Sequence, residues 1–196
     1  MRFEVPAPGL APYLALAGIT LLAACLPLLL LRGKPLAARL RTAACAAALV
    51  LPFTAGLGWN VSHNTVELRD GQLVVRASYF YEYARDIAEF DLARARHGDR
   101  AALAPDGLGA RRNGISLPGY VAGRFGGPGG GRIDDRGGDG IGIDRSLFVA
   151  VTDGNRLVYL PARHGQSLLV SVGDGAALLQ ALYRTAPAGA ARVGMH

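Results

Sequence analysis

At 196 residues the chain is long enough for one domain with an appendage, and its net charge of +6 is unevenly shared. Five cations against one acid leave +4 on residues 1–59, whereas 16 arginines against 14 acids leave only +2 on residues 60–196. So small an excess is no nucleic-acid footprint, and with both cysteines, Cys25 and Cys45, in the first part, no disulfide framework holds the rest.

Past a short segment (residues 1–10), residues 11–31, APYLALAGITLLAACLPLLLL, carry no charge and are long enough to cross a hydrocarbon core of about 30 Å as a helix. Residues 42–59, TAACAAALVLPFTAGLGW, form a second uncharged run. Between them RGKPLAARLR holds four cations and no acid. The pattern predicts a transmembrane hairpin over 11–59, in which Pro27 and Pro52 are tolerated and Trp59 is an interfacial anchor. Short loops rich in Lys and Arg stay cytoplasmic. The expected product is a multi-pass protein of the bacterial inner membrane with its C-terminal domain extracytoplasmic. Leu22-Ala23-Ala24-Cys25 has the spacing of a lipoprotein box, but LPLLLL follows where a polar tether belongs. The apolar run is also too long for a cleaved signal. Both cysteines are therefore read as small buried hydrophobes.

After Trp59 the texture turns to β. Val66 and Leu68, then Asp70-Gly71, then Leu73 and Val75 alternate about a pair that supplies the positive φ a tight hairpin turn needs. Ala77–Ile87 reads as a third strand, EFDLARAR as a helical turn, and the residues on to Arg112 as loop. A glycine-rich zone then runs from Asn113 to about residue 146. LFVAVT and RLVYLP flank Asp153-Gly154-Asn155, which predicts a second hairpin, and SLLVSV adds a strand. DGAALLQALYR predicts a closing helix capped by Asp174, with one apolar face. The tail, 185–196, has nothing to bury. Strands followed by one helix imply a mainly-β domain over 64–184: an antiparallel sandwich or partly open barrel with a C-terminal helix.

One set of motifs is more specific. Arg111-Arg112-Asn113-Gly114, Leu117-Pro118-Gly119-Tyr120, Gly123-Arg124-Phe125, Thr152-Asp153, Val158-Tyr159-Leu160-Pro161 and Leu168-Leu169-Val170-Ser171 occur in that order over about residues 64–184. The set resembles the bacterial pleckstrin-homology-like (PH-like) domain family of membrane-anchored proteins. The resemblance implies a seven-stranded PH-like fold with a C-terminal helix, a binding or assembly role, and no known catalytic residues. Where relatives have a short strand and hairpin, this chain has a glycine-laden insertion (residues 126–146).

The insertion invites sharper readings. A phosphate-cradling loop needs a Lys and a hydroxyl entering a helix, yet the only lysine is Lys34 and no helix is expected after the glycines. No nucleotide or other cofactor is expected. Asp134, Asp135, Asp139 and Asp144 offer weak Ca²⁺ ligands; solvated turn carboxylates are the preferred reading. His63, His97, His164 and His196 lack metal-ligand spacing, and Ser167 lacks the second glycine of a nucleophile elbow. The positive feature is Arg111, Arg112, Arg124 and Arg132, with no acid from Gly107 to Ile133. Their guanidinium groups suit phosphates or partner carboxylates, and some are expected to pair with nearby aspartates. The expected function is a membrane-anchored, non-catalytic binding or scaffold module, with protein or self-association contacts and contact with anionic lipid. The alternative is a membrane enzyme, or enzyme subunit, working on an envelope substrate through the glycine-rich loop.

Overall fold

The computed structural model describes residues 1–105, 107–126 and 146–186. Arg132 and the four candidate aspartates lie outside them. A short strand, β1 (Arg2–Phe3), precedes two long helices, α1 (Leu10–Leu30) and α2 (Leu36–Val61). Both are long and apolar enough to cross a membrane, and only 6% and 11% of their most apolar windows is buried within the protein. Leu14, Leu22, Leu49 and Phe53 all face outward. Helices so little covered are not core helices of the β domain.

The two helices touch along their length. Thr20 Oγ1 and Thr54 Oγ1 meet at 2.8 Å, and each hydroxyl also bonds a carbonyl of its own helix, Leu16 O or Val50 O. These hydroxyls are thereby satisfied in an otherwise apolar seam. At the α1–α2 turn, Arg39 donates to Leu28 O and ties the start of α2 to the end of α1.

The first sheet has the order β1–β2–β3–β4, with β2 Asn64–Arg69, β3 Gln72–Ala77 and β4 Tyr81–Asp86, antiparallel throughout. Asp70 (φ 51°) and Gly71 (φ 78°) make the tight turn between β2 and β3. Val66, Leu68, Leu73, Val75 and Tyr83 point inward. The expected strand Ala77–Ile87 is broken at Ser78–Phe80, which form the β3–β4 loop.

Two 3₁₀ turns (Ile87–Glu89 and Leu92–Arg94) lead to β5 (Arg96–Gly98) and α3 (Arg100–Leu103), where the sequence reads as loop. Asp99 explains the single helical turn, since its carboxylate accepts from Ala102 N at 2.7 Å. Arg111 and Arg112, which read as the end of a loop, instead open a hairpin, β6 (Arg111–Leu117) and β7 (Tyr120–Phe125), that turns at the Leu117-Pro118-Gly119-Tyr120 motif. Then follow β8 (Leu147–Val151), β9 (Leu157–Leu160), β10 (Ser167–Ser171) and α4 (Gly175–Thr185). The second sheet runs β5–β9–β10–β8–β7–β6.

Two expectations are corrected in this sheet. The sheet is not wholly antiparallel, because β10 runs parallel to β8. Nor do β8 and β9 form a hairpin at Asp153-Gly154-Asn155: β10 lies between them, antiparallel to β9. Ser171, at the end of β10, shows why. Its Oγ accepts from both Thr152 N (3.0 Å) and Asp153 N (3.1 Å) and donates to Asp153 O (2.9 Å). The β8–β9 connection is therefore stitched to β10 instead of closing on itself.

The second sheet is covered on both faces. Phe148, Ala150, Leu168 and Val170 join the main core with the first sheet and α4, while Leu147, Val149, Val151 and Leu169 join a second cluster under Ala104 and Leu108. Doubly covered strands read as continuous apolar runs rather than alternation, as LFVAV and SLLV do. α4 is the closing helix the sequence predicts: Asp174 caps it through Ala177 N (2.9 Å), and Leu178 and Leu182 are fully buried.

Candidate functional site

Two regions bear on function: the place where the helices meet the β domain, and the end of the β6–β7 hairpin that carries the arginines. At the first there is no linker. Val61, the last residue of α2, is fully buried in the main core, and β2 begins at Asn64. Asn60, also buried, accepts from Tyr79 N at 2.7 Å. Asn64 Oδ1 accepts from Ser78 N and from the Tyr120 hydroxyl, both at 3.2 Å. His63 lies between the rings of Trp59 (4.8 Å) and Tyr79 (5.0 Å). On the α1 side, Tyr13 Oη meets Ser62 Oγ at 2.7 Å. The Leu117-Pro118-Gly119-Tyr120 turn rests there too: a Cβ on Gly119 would lie 3.6 Å from Ala11 Cβ. The segment before α1 is equally tied in, with β1 on β2 and Glu4 O accepting from Gly173 N at 2.9 Å. The start of α1 and the end of α2 are thus both packed on the β domain.

Burial pushes the phenol of Tyr120 up to about 12 and that of Tyr83 up further. Both folded values lie above the ordinary value of about 10, so the neutral phenols contribute stability that is intact below about pH 10 and lost as pH rises through the folded values. Thermal unfolding of the detergent-solubilised protein should therefore weaken between about pH 10 and about pH 12. Tyr120→Phe should remove part of that loss, and an unchanged alkaline profile would contradict the assignment.

At the second region, Gly114 and Gly123 face each other across β6 and β7, next to a bulge that leaves Arg112 as the extra residue between Arg111↔Phe125 and Asn113↔Arg124. Arg111, Arg112, Asn113 and Arg124 are exposed there, while Tyr120 and Phe125 are buried. Among the described residues no acid pairs with Arg111, Arg112 or Arg124. The arginines sit about 20 Å along the strand from the turn that rests on α1.

The remaining motif residues shape the backbone. Asp153 Oδ1 accepts from Asn155 N (2.9 Å), and its carboxylate pairs with Arg156 (3.7 Å). Thr152 is buried, Tyr159 packs against the second cluster, and Pro161 O accepts from Asp91 N (2.8 Å). Ser167 Oγ is engaged by Ala162 N (3.1 Å). Among the described residues no group of three His, Cys, Asp or Glu is placed to hold a metal.

In comparisons with protein families, characterised proteins and solved structures, nothing matches this chain.

Sequence reasoning missed Asn60, His63 and Asn64, which lie across the boundary drawn between hairpin and domain. The available signal was Val61, an apolar residue just beyond Trp59 with no glycine or proline between the two.

Proposed function

We propose that the chain is a membrane-anchored binding or scaffold module of the PH-like kind, without a catalytic role. In this reading α1 and α2 cross the bacterial inner membrane as a hairpin, and the β domain meets a partner protein or further copies of itself. The observation that carries it is the burial of Val61 in the β core. An anchor that ends inside the domain it carries fixes that domain's orientation, which a binding surface exploits and a flexible tether does not. Two features support the crossing. The helices leave apolar side chains uncovered over about 31 Å of α1, which matches the hydrocarbon thickness. Arg32, Lys34, Arg39 and Arg41 gather at the end of the pair remote from the β domain, which favours a cytoplasmic turn and an extracytoplasmic domain.

The binding face is the arginine end of β6–β7, where the exposed guanidinium groups of Arg111, Arg112 and Arg124, which no acid pairs with among the described residues, suit carboxylates of a partner. Photocrosslinking residues placed at Arg112 and Arg124 in the full-length protein in cells should each give a discrete adduct of higher mass. Adducts from neither position, with the variants folded and membrane-inserted, would overturn this assignment of the face.

A further inference from the structure

The β3–β4 loop is built to leave water. Tyr79 and Phe80 form its tip and are 67% and 68% exposed, in a domain whose other β-strand aromatics are mostly inward. The chain does not hide them although it holds the loop firmly: Ser78 takes a positive φ of 59°, and its own hydroxyl accepts from Phe80 N at 3.3 Å. With Asn60 accepting from Tyr79 N, both tip amides are satisfied within the protein. That removes the part of the cost that the two N–H groups would incur on leaving water. The first charged pair above the tip, Arg76 and Glu82, faces itself across the strands at 2.9 Å, so it brings no unbalanced charge to the tip.

The position of the tip identifies what covers it. Tyr79 stacks on His63 and His63 on Trp59, so the loop lies at the level of the last turns of α2. Trp59 is 67% exposed on that helix, and Tyr13 occupies the same level on α1. From Arg41 to Trp59 the helix rises about 27 Å, close to one hydrocarbon thickness. The aromatics therefore fall at one water–lipid boundary, where amphipathic rings are favoured.

We infer that the β3–β4 loop is an interfacial wedge: Tyr79 and Phe80 enter the head-group boundary of the bilayer beside Trp59 and seat the β domain directly on the membrane surface. The inference rests on the hairpin reading above, and its occupant is the lipid interface, not a protein. Burying two such side chains adds a second point of membrane contact, which prevents the domain from tilting about the helix ends.

The test uses full-length protein reconstituted in phosphatidylcholine–phosphatidylglycerol vesicles. Trp59 is the only tryptophan, so Phe80→Trp in a Trp59→Phe background gives one reporter at the tip, and Tyr79→Trp gives a second. Leu51→Trp in the same background reports on the middle of α2. Phe80→Trp should be quenched more strongly by lipids brominated near the glycerol end of the chain than by those brominated near the methyl end. Leu51→Trp should show the opposite order. Quenching of Leu51→Trp by lipid without any for Phe80→Trp or Tyr79→Trp, while acrylamide reaches both, would sink the wedge and leave the hairpin. Tip reporters shielded from both quenchers would assign the loop to contact with a second copy and also sink it. Failure of Leu51→Trp to respond to any brominated lipid would overturn the hairpin itself.

Discussion

Gly123→Ala is expected to lower the stability of the β domain by about 2–5 kcal/mol, combining backbone strain with steric conflict. Gly123 has a φ of 128°, where side chains are strained whatever the space. A Cβ there would also fall well inside 3.0 Å of Asn113 O and Gly114 Cα, both backbone atoms with nowhere to go. Gly114 meets the same limit from the other strand, where its Cβ would collide with Ala122 O. Each motif glycine thus makes room for the other, next to the bulge at Arg112. For a chain of this size the loss corresponds to about 2–4 °C of melting temperature per kcal/mol. Gly154→Ala is the matched control. Its Cβ would meet nothing nearer than Arg100 Cβ at 4.0 Å, and its φ is not positive. It should be neutral or stabilise by up to about 1 kcal/mol through the unfolded state. Thermal unfolding of the two variants decides the matter; a Gly123→Ala protein as stable as the Gly154→Ala protein would refute the account of this hairpin.

Phe148→Ala should cost about 3–5 kcal/mol, the range for truncating a buried aromatic in a core that cannot collapse. Phe148 is fully buried on β8, and its ring lies 5.1 Å from that of Tyr83 on β4, so the pair joins the second sheet to the first. Phe90, fully buried as well, flanks Tyr83 at 6.3 Å. Tyr83 cannot swing in to fill the void, because its hydroxyl donates to Gln166 O at 2.7 Å. The sheet contact should therefore loosen before either sheet melts. Phe148→Leu, which leaves less void, should cost clearly less. Equal costs for the two would show that the inter-sheet space refills and that the ring is not what holds the sheets together.

Much of the architecture is legible in the residues themselves. Two uncharged runs give α1 and α2; Asp70-Gly71 gives the first hairpin; Asp174 followed by ALLQAL gives α4. What escapes has a common cause, which is interaction between segments far apart in the chain. The Asp153-Gly154-Asn155 stretch carries good turn chemistry, and what prevents a hairpin is β10, distant in sequence, which pairs with both β8 and β9. The parallel pairing of β8 and β10 shows in their unbroken apolar runs, but those runs equally fit any doubly covered strand. The glycines of β6–β7 hide the strand character of the segment, because glycine usually weakens a strand, whereas here two of them stand opposite each other. At the candidate site, Trp59 stands out in the sequence as the aromatic that closes the second uncharged run. The roles of Asn60 and Asn64 do not, since their partners, Ser78, Tyr79 and Tyr120, are fixed only by the fold.

The central claim is that the helix pair spans a bilayer and holds the β domain on the side opposite its cationic turn. Single cysteines introduced by Lys34→Cys and by Glu82→Cys, each in a Cys25→Ala/Cys45→Ala background, test it directly with a membrane-impermeant maleimide on intact spheroplasts. The account predicts that the Glu82→Cys protein is labelled at once and the Lys34→Cys protein only after permeabilisation. Labelling of both without permeabilisation, or in the reverse order, would contradict it.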